Sequence, residues 1–311
     1  MGSLIAPKNV VNLYDITGIT TIAGISDYTE GIYNGDPLTD YNIAQKNQHN
    51  YLLDEIDAKE GFKLLDVGCG LGTLLETARE RGVIGTGITV SEDQFKRCKD
   101  KGLEVHLLNY KSLPNYFNGM FDGIIANGSL EHFCQPEEAL HGYQDYVYKY
   151  MFKIFRNLLD SNSLSQKLAT TAIHFSDKHI DPKKLLRNPL LQFDKNFFYL
   201  SILHRSMGGY YPVKGQLEKC ARTYFKLINE VDGTNDYHLT SEYWTSQFKK
   251  ALSTNKDFRT ELWHHFKKRP DHTFWTSLCF LGVEAWPWQF RGENPPTRLY
   301  RHTWKKNNLN N

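Results

Sequence analysis

Little in this sequence points to a membrane span, a metal site or a disulfide framework. The five cysteines (Cys69, Cys98, Cys134, Cys220, Cys279) are scattered, odd in number and never spaced C-x-x-C. That pattern supplies no zinc-ligand set and no cross-linked scaffold, so no metal and a reducing, cytoplasmic setting are expected. No stretch approaches the ~18 consecutive apolar residues that would cross a bilayer, and no charged segment ahead of an apolar run marks the N-terminus. Peripheral contact with a membrane surface stays open, as does homo-oligomer formation. Charge of one sign is also lacking: 37 Lys and Arg against 35 Asp and Glu leave a formal +2. Nucleic acid is therefore not an expected partner, because no basic field is present to hold phosphates. No internal repeat or low-complexity linker divides the 311 residues.

What the chain does hold is aromatic: 18 Tyr, 18 Phe and 6 Trp, enough for both a core and a ring-lined cavity. Apolar runs over 62–67, 83–90, 103–108 and 121–126 read as strands, with helices expected over 73–81 and from Ser91. Ser91 and Gln94 have the spacing of a capping box. This alternation predicts a doubly wound parallel sheet. Helices are expected over 40–56, 136–159, 241–253 and 257–266, and strands over 167–173 and 299–304. Residues 180–209 fit either a helical cap or ordinary core helices.

The strongest local signal is Leu64-Leu-Asp-Val-Gly-Cys-Gly-Leu-Gly72. A strand that runs into close-set glycines turns sharply and lets backbone approach a nucleotide or amino-acid group. A dinucleotide turn would place its third glycine at position 73, where this chain has Thr73. The observed D-x-G-x-G-x-G resembles the first motif of class I S-adenosylmethionine-dependent methyltransferases.

Further segments resemble the cyclopropane-fatty-acid synthase family, which includes the mycolic acid cyclopropane synthases. Gly87, Thr89, Ser91 and Gln94 match its G-[IV]-T-x-S-x-x-Q stretch without a gap. Residues 121–133, 209–212, 236–244 and 274–286 resemble later segments in the right order, and 28–33 resembles an earlier one. The resemblance implies a Rossmann-like α/β fold with a seven-stranded, mostly parallel sheet, helices on both faces and an inserted helical lid. It further implies that residues 1–60 cover the cofactor and that 61–311 form the methyltransferase domain, with a substrate lid at about 178–212. Carried over residue by residue, Tyr28, Thr29, Asp66, Gly68, Gly70, Gly72 and Asn127 would lie at the cofactor's amino-acid end. Thr89 and Gln94 would lie at its ribose, and Asn109 and Tyr110 at its adenine. Glu131 would face the reaction centre with Tyr237 opposite.

Family members that act on alkenes hold bicarbonate as the base, in a pocket of Cys, Glu, His and Tyr. Here Glu30 stands at the Cys position and Ala169 is taken for the His, while Glu131 and Tyr237 remain. A carboxylate there would repel an anion by several kcal/mol. Glu30 is therefore expected to replace the anion as built-in base, with His174 as a weaker candidate. The expected activity is C-methylation of an alkene in an apolar lipid, isoprenoid or polyketide-like substrate. The alternatives are a cyclopropane synthase proper, an N- or O-methyltransferase of a small aromatic or amine, and a cofactor-binding protein without catalysis. Lys183, Lys184 and Arg187 would either face an anionic headgroup or form a solvated charge run.

Overall fold

The computed structural model describes residues 17–176 and 179–308. Its centre is a seven-stranded sheet of β1 (Lys63–Val67), β2 (Ile84–Thr89), β3 (Glu104–Leu107), β4 (Gly123–Asn127), β5 (Lys167–Phe175), β6 (Phe225–Asp232) and β7 (Thr297–Lys306). The order is β3-β2-β1-β4-β5-β7-β6, with β7 antiparallel to both its neighbours and the other pairings parallel. The α/β sheet expected from the alternating pattern is present. Leu64, Ile125 and Ala169 pack into a core on one face, and Leu65, Ile124 and Leu168 into a second core. This is the two-residue alternation of a sheet buried on both sides.

Three elements depart from the sequence expectation. The helix expected over 136–159 is two, Pro136–Leu140 and Gln144–Leu158, because Gly142 adopts φ +76° and ends the first in a left-handed turn. Strand β6 was not anticipated: it is a half-buried edge strand whose alternation is interrupted by an irregularity between Leu227 and Asn229. Ser91 caps the Glu92–Asp100 helix through the Gln94 amide, but the Gln94 side chain turns away to accept the Thr89 hydroxyl at 2.7 Å.

The sheet order reverses between β1 and β4, which leaves a crevice beyond their carboxyl ends. The Tyr41–Glu55 helix, capped by Asp40, carries the loop before it to this crevice. There Gly31 donates to Thr240 and Tyr33 to Asp236, tying the loop to the Thr234–Thr254 helix. On the opposite side, the Lys195–Met207 helix packs on Pro270–Ser277. Its chain then returns through Gly209, whose added Cβ would lie 2.1 Å from the Glu131 carbonyl oxygen. Only glycine allows that close approach.

Candidate functional site

One cavity of about 1110 Å³, its open mouth included, occupies the crevice. Part of its wall is polar: Asp27, Asp66, Gly68, Gly70, Thr73 and Asn127. Another part is apolar and aromatic, formed by Met207, Tyr237, Trp244, Phe248, Phe280 and Trp286. Glu131 and His132 line the same space, and among the described residues no Lys or Arg does.

The glycine turn has divided roles. Gly68 (φ +86°) and Cys69 both donate to the Ile88 carbonyl at 2.9 Å, fixing the turn against β2. Gly70 (φ +54°) has nothing within 4 Å of an added Cβ and faces the cavity. Gly72 (φ +77°) instead caps the following helix, and its added Cβ would lie 2.4 Å from Leu103. It serves packing and does not line the cavity.

Asp66 is buried, and its Oδ2 has no partner among the described residues. Burial, reinforced by Asp27, raises its carboxyl well above the usual range. Burial also pushes Asp27 upward, but His49, Thr73 and the Tyr28 amide outweigh it and hold the carboxyl low. His49 Nε2 lies 2.9 Å from Asp27 Oδ2, and Thr73 donates to the same oxygen. Two carboxyls, one unpartnered, face an open glycine cradle and suit an ammonium group. Beside them Thr29, Gln48, Asn127 and Thr171 form one hydrogen-bonded cluster, with Asn127 accepting from Thr171 at 2.8 Å and donating to Gln48 at 3.0 Å. Tyr28 lines the cavity and pairs with Thr20.

Thr89 and Gln94 stand beside the turn at the end of β2, outside the main cavity. The Gln94 amide nitrogen is buried without a partner among the described residues. Asn109 accepts from Lys111 as a turn cap. Tyr110 is a core residue whose ring stacks on Phe133 at 4.0 Å, although its hydroxyl is unpartnered among the described residues. None of these four walls the cavity.

Glu131 and Tyr237 both line the cavity, as the motifs imply. Burial, with a smaller push from Glu30, raises the Glu131 carboxyl to about 8, and its Oε2 is unpartnered among the described residues. Tyr237 is held by rings: stacked on Phe290 at 4.5 Å and edge-on to Trp244 and Trp286. His132 is pushed down to about 4 by burial and is neutral at ordinary pH.

The expectations for Glu30 and His174 require correction, since neither lines the cavity. Glu30 is 1% exposed and accepts from Arg301 Nε at 2.9 Å, while Arg301 also holds Asp236 at 2.9 Å. Burial outweighs Arg301 and raises the Glu30 carboxyl, yet Glu30 does not wall the cavity. Its Oε1 is engaged in an ion pair, while its Oε2 has no partner among the described residues. His174 follows cavity-lining Ile173 along β5, so strand alternation turns it to the other face. It packs against Tyr300 and His302, and burial lowers it to about 3. Ala169 pairs with Ile125 deep in the sheet; the β5 residue beside Asn127 is Thr171.

Asp27, Gln48, His132, Thr171 and Gly209 were not anticipated from sequence. His132 adjoins Glu131 in a recognised segment and was within reach; Gln48 lies on a helix of ordinary amphipathic appearance and carried no signal. Lys183, Lys184 and Arg187 are exposed, and Lys184 rests over the Phe197 ring at 3.9 Å.

A probable fatty acid methyltransferase of Pseudomonas putida is 34% identical over 118 residues, covering 35% of this chain and 29% of that protein. The chain spans under a third of the first curated relatives it matches (22–29% of their length). Among solved structures, the cyclopropane synthase MmaA2 from Mycobacterium tuberculosis superposes with TM-score 0.73 at 17% identity, covering 98% of this chain and 100% of that one. Mycolic acid cyclopropane synthase CmaA1, complexed with SAH and CTAB, gives 0.70 at 17% with the same coverage. Both show the class I methyltransferase fold, seven-stranded as expected. A family model described as mycolic acid cyclopropane synthetase matches residues 25–274, and the chain belongs to that family.

Proposed function

We propose that this protein is an S-adenosylmethionine-dependent methyltransferase acting on an alkene carbon of an apolar, lipid-like substrate. The observation that carries this reading is a single cavity joining a glycine–carboxyl cradle to an aromatic chamber, with Glu131 in its wall. The wall fits the cofactor: the orphan Asp66 Oδ2, with Asp27 beside it, would hold its ammonium group. Three carboxyl residues in the wall, with no Lys or Arg among the described residues there, suit a cation. The bound cofactor supplies an electrophilic methyl on a sulfonium. SAH in CmaA1 supports the cofactor, and CTAB beside it supports an apolar acceptor.

An alkene carbon that gains the methyl leaves a cation on its neighbour. The Trp244, Trp286 and Phe280 faces stabilise that charge and exclude water. Glu131 completes the reaction: its carboxylate takes the proton, and the released electron pair closes a cyclopropane or forms a methylated alkene. With a carboxyl raised to about 8 in the bare site, it is a base matched to neutral pH once a neighbouring cation favours ionisation.

The test is incubation with methyl-labelled S-adenosylmethionine and three acceptors: unsaturated phospholipid vesicles, prenyl diphosphates and aromatic amines. Label in the lipid or isoprenoid fraction, reduced at least ~100-fold in Glu131→Gln with cofactor binding retained, is expected. Label in the amines alone would replace this reading with N-methylation.

A further inference from the structure

We propose that the Lys256–Lys268 helix is a membrane-docking strap whose outer face rests on an anionic phospholipid surface and whose inner face walls a side chamber of the reaction cavity. The inference rests on the lipid-substrate reading above. The helix buries little of its own surface. Of its 13 residues only Phe258 is buried, and Leu262 and His265 follow it along the inner face. These three line a chamber of about 380 Å³ that shares Phe248, Thr276 and Phe280 with the main cavity.

The outer face is unusual for a water-exposed helix. Trp263 and Phe266 are 55% and 38% exposed and stack on one another at 5.6 Å, and Lys267 lies over the Trp263 ring. Phe274, on the helix that packs beside it, is 49% exposed. Residues 256–269 carry five basic side chains (Lys256, Arg259, Lys267, Lys268, Arg269) against Asp257 and Glu261. Exposed rings flanked by lysines match the boundary between acyl chains and anionic headgroups, where rings enter and ammonium groups stay with phosphate. A second protein would bury the rings but gives no reason for the basic excess. The shared walls supply the functional link: a bilayer under this helix would lie next to the chamber that adjoins the cavity.

The test uses the full chain and sedimentation with phosphatidylcholine vesicles, with and without phosphatidylglycerol. Wild-type protein is expected to sediment with the anionic vesicles and to be released by salt. Trp263→Ala/Phe266→Ala should weaken that partitioning by about tenfold or more. Lys267→Glu/Lys268→Glu should remove the preference for phosphatidylglycerol. Both variants should keep the wild-type melting temperature and S-adenosylmethionine affinity, which separates docking from folding. Wild-type protein that stays in the supernatant, or variants that bind as wild type does, would overturn the proposal. So would a wild-type dimer that Trp263→Ala/Phe266→Ala converts to monomer without any effect of vesicles. Vesicle binding without S-adenosylmethionine binding would support the docking surface and overturn the methyltransferase reading.

Discussion

Glu131 makes stability depend on pH in a direction opposite to most carboxylates. Its acid dissociates at an ordinary 4.5 in the unfolded chain and at about 8 when folded. Between those values the folded state holds a proton that the unfolded state has lost, so stability falls as pH rises. Each pH unit costs at most about 1.4 kcal/mol, so the step from pH 5 to pH 7 removes about 3 kcal/mol. Glu131→Gln keeps the shape and removes the titration. Relative to wild type, the variant should therefore gain about 3 kcal/mol between pH 5 and pH 7, or roughly 4–5 °C in melting temperature for a chain of this size. The comparison must be a difference between the two proteins, because buried His132 titrates in the opposite sense as pH falls. Thermal melts from pH 5 to 8 without cofactor provide the assay. With S-adenosylmethionine present, the sulfonium favours the carboxylate and the difference should shrink. A melting-temperature difference that stays constant across the range would mean that Glu131 ionises normally, and the base assignment would fall with it.

Two other substitutions separate scaffold from chemistry. Arg301→Met should cost about 3–5 kcal/mol, because it strands Glu30 and Asp236 without their cation. Adding Glu30→Gln should recover part of the loss in denaturant titrations, and Glu30→Gln alone should retain methyl transfer. Gly72→Ala should destabilise by about 2–4 kcal/mol from strain and the clash with Leu103, leaving cofactor affinity per folded molecule intact. Gly70→Ala, which meets no protein atom, should cost only about 1 kcal/mol of stability yet weaken S-adenosylmethionine in calorimetric titration.

Sequence reasoning reached the parts whose signals are local. β1 and its turn were legible because an apolar run ends in glycines, and Glu131 and Tyr237 because each sits in an ordered motif. β6 was not, since a half-exposed edge strand with Lys226, Asn229 and Glu230 lacks both the continuous apolar run of a central strand and clean alternation. Thr171 beside Asn127 was not legible either, because Ala169 precedes it by two residues on the same strand. The two residues share a face, and only pairing with β4 shows which one reaches the crevice. Glu30 failed for a different reason. Its partner Arg301 lies 271 residues away, and nothing local announces that pairing.

Glu30 and Asp236 together occupy Arg301, so this guanidinium is not left to neutralise an anion. The buried Arg301 guanidinium is shared between two carboxylates and the Gly31 carbonyl. The cavity wall itself offers Asp27, Asp66 and Glu131, with His132 neutral. A bicarbonate near Asp27, the carboxyl of the three that is held low, would be repelled by about 4 kcal/mol at 4 Å in a partly screened site. Asn127 already donates to Gln48 and accepts from Thr171. A negative wall disfavours an anionic base but favours both a sulfonium and a carbocation that follows it. The same charge distribution that binds the methyl donor therefore leaves proton removal to the protein, and Glu131 is the carboxyl in that wall with a free oxygen beside the aromatic chamber.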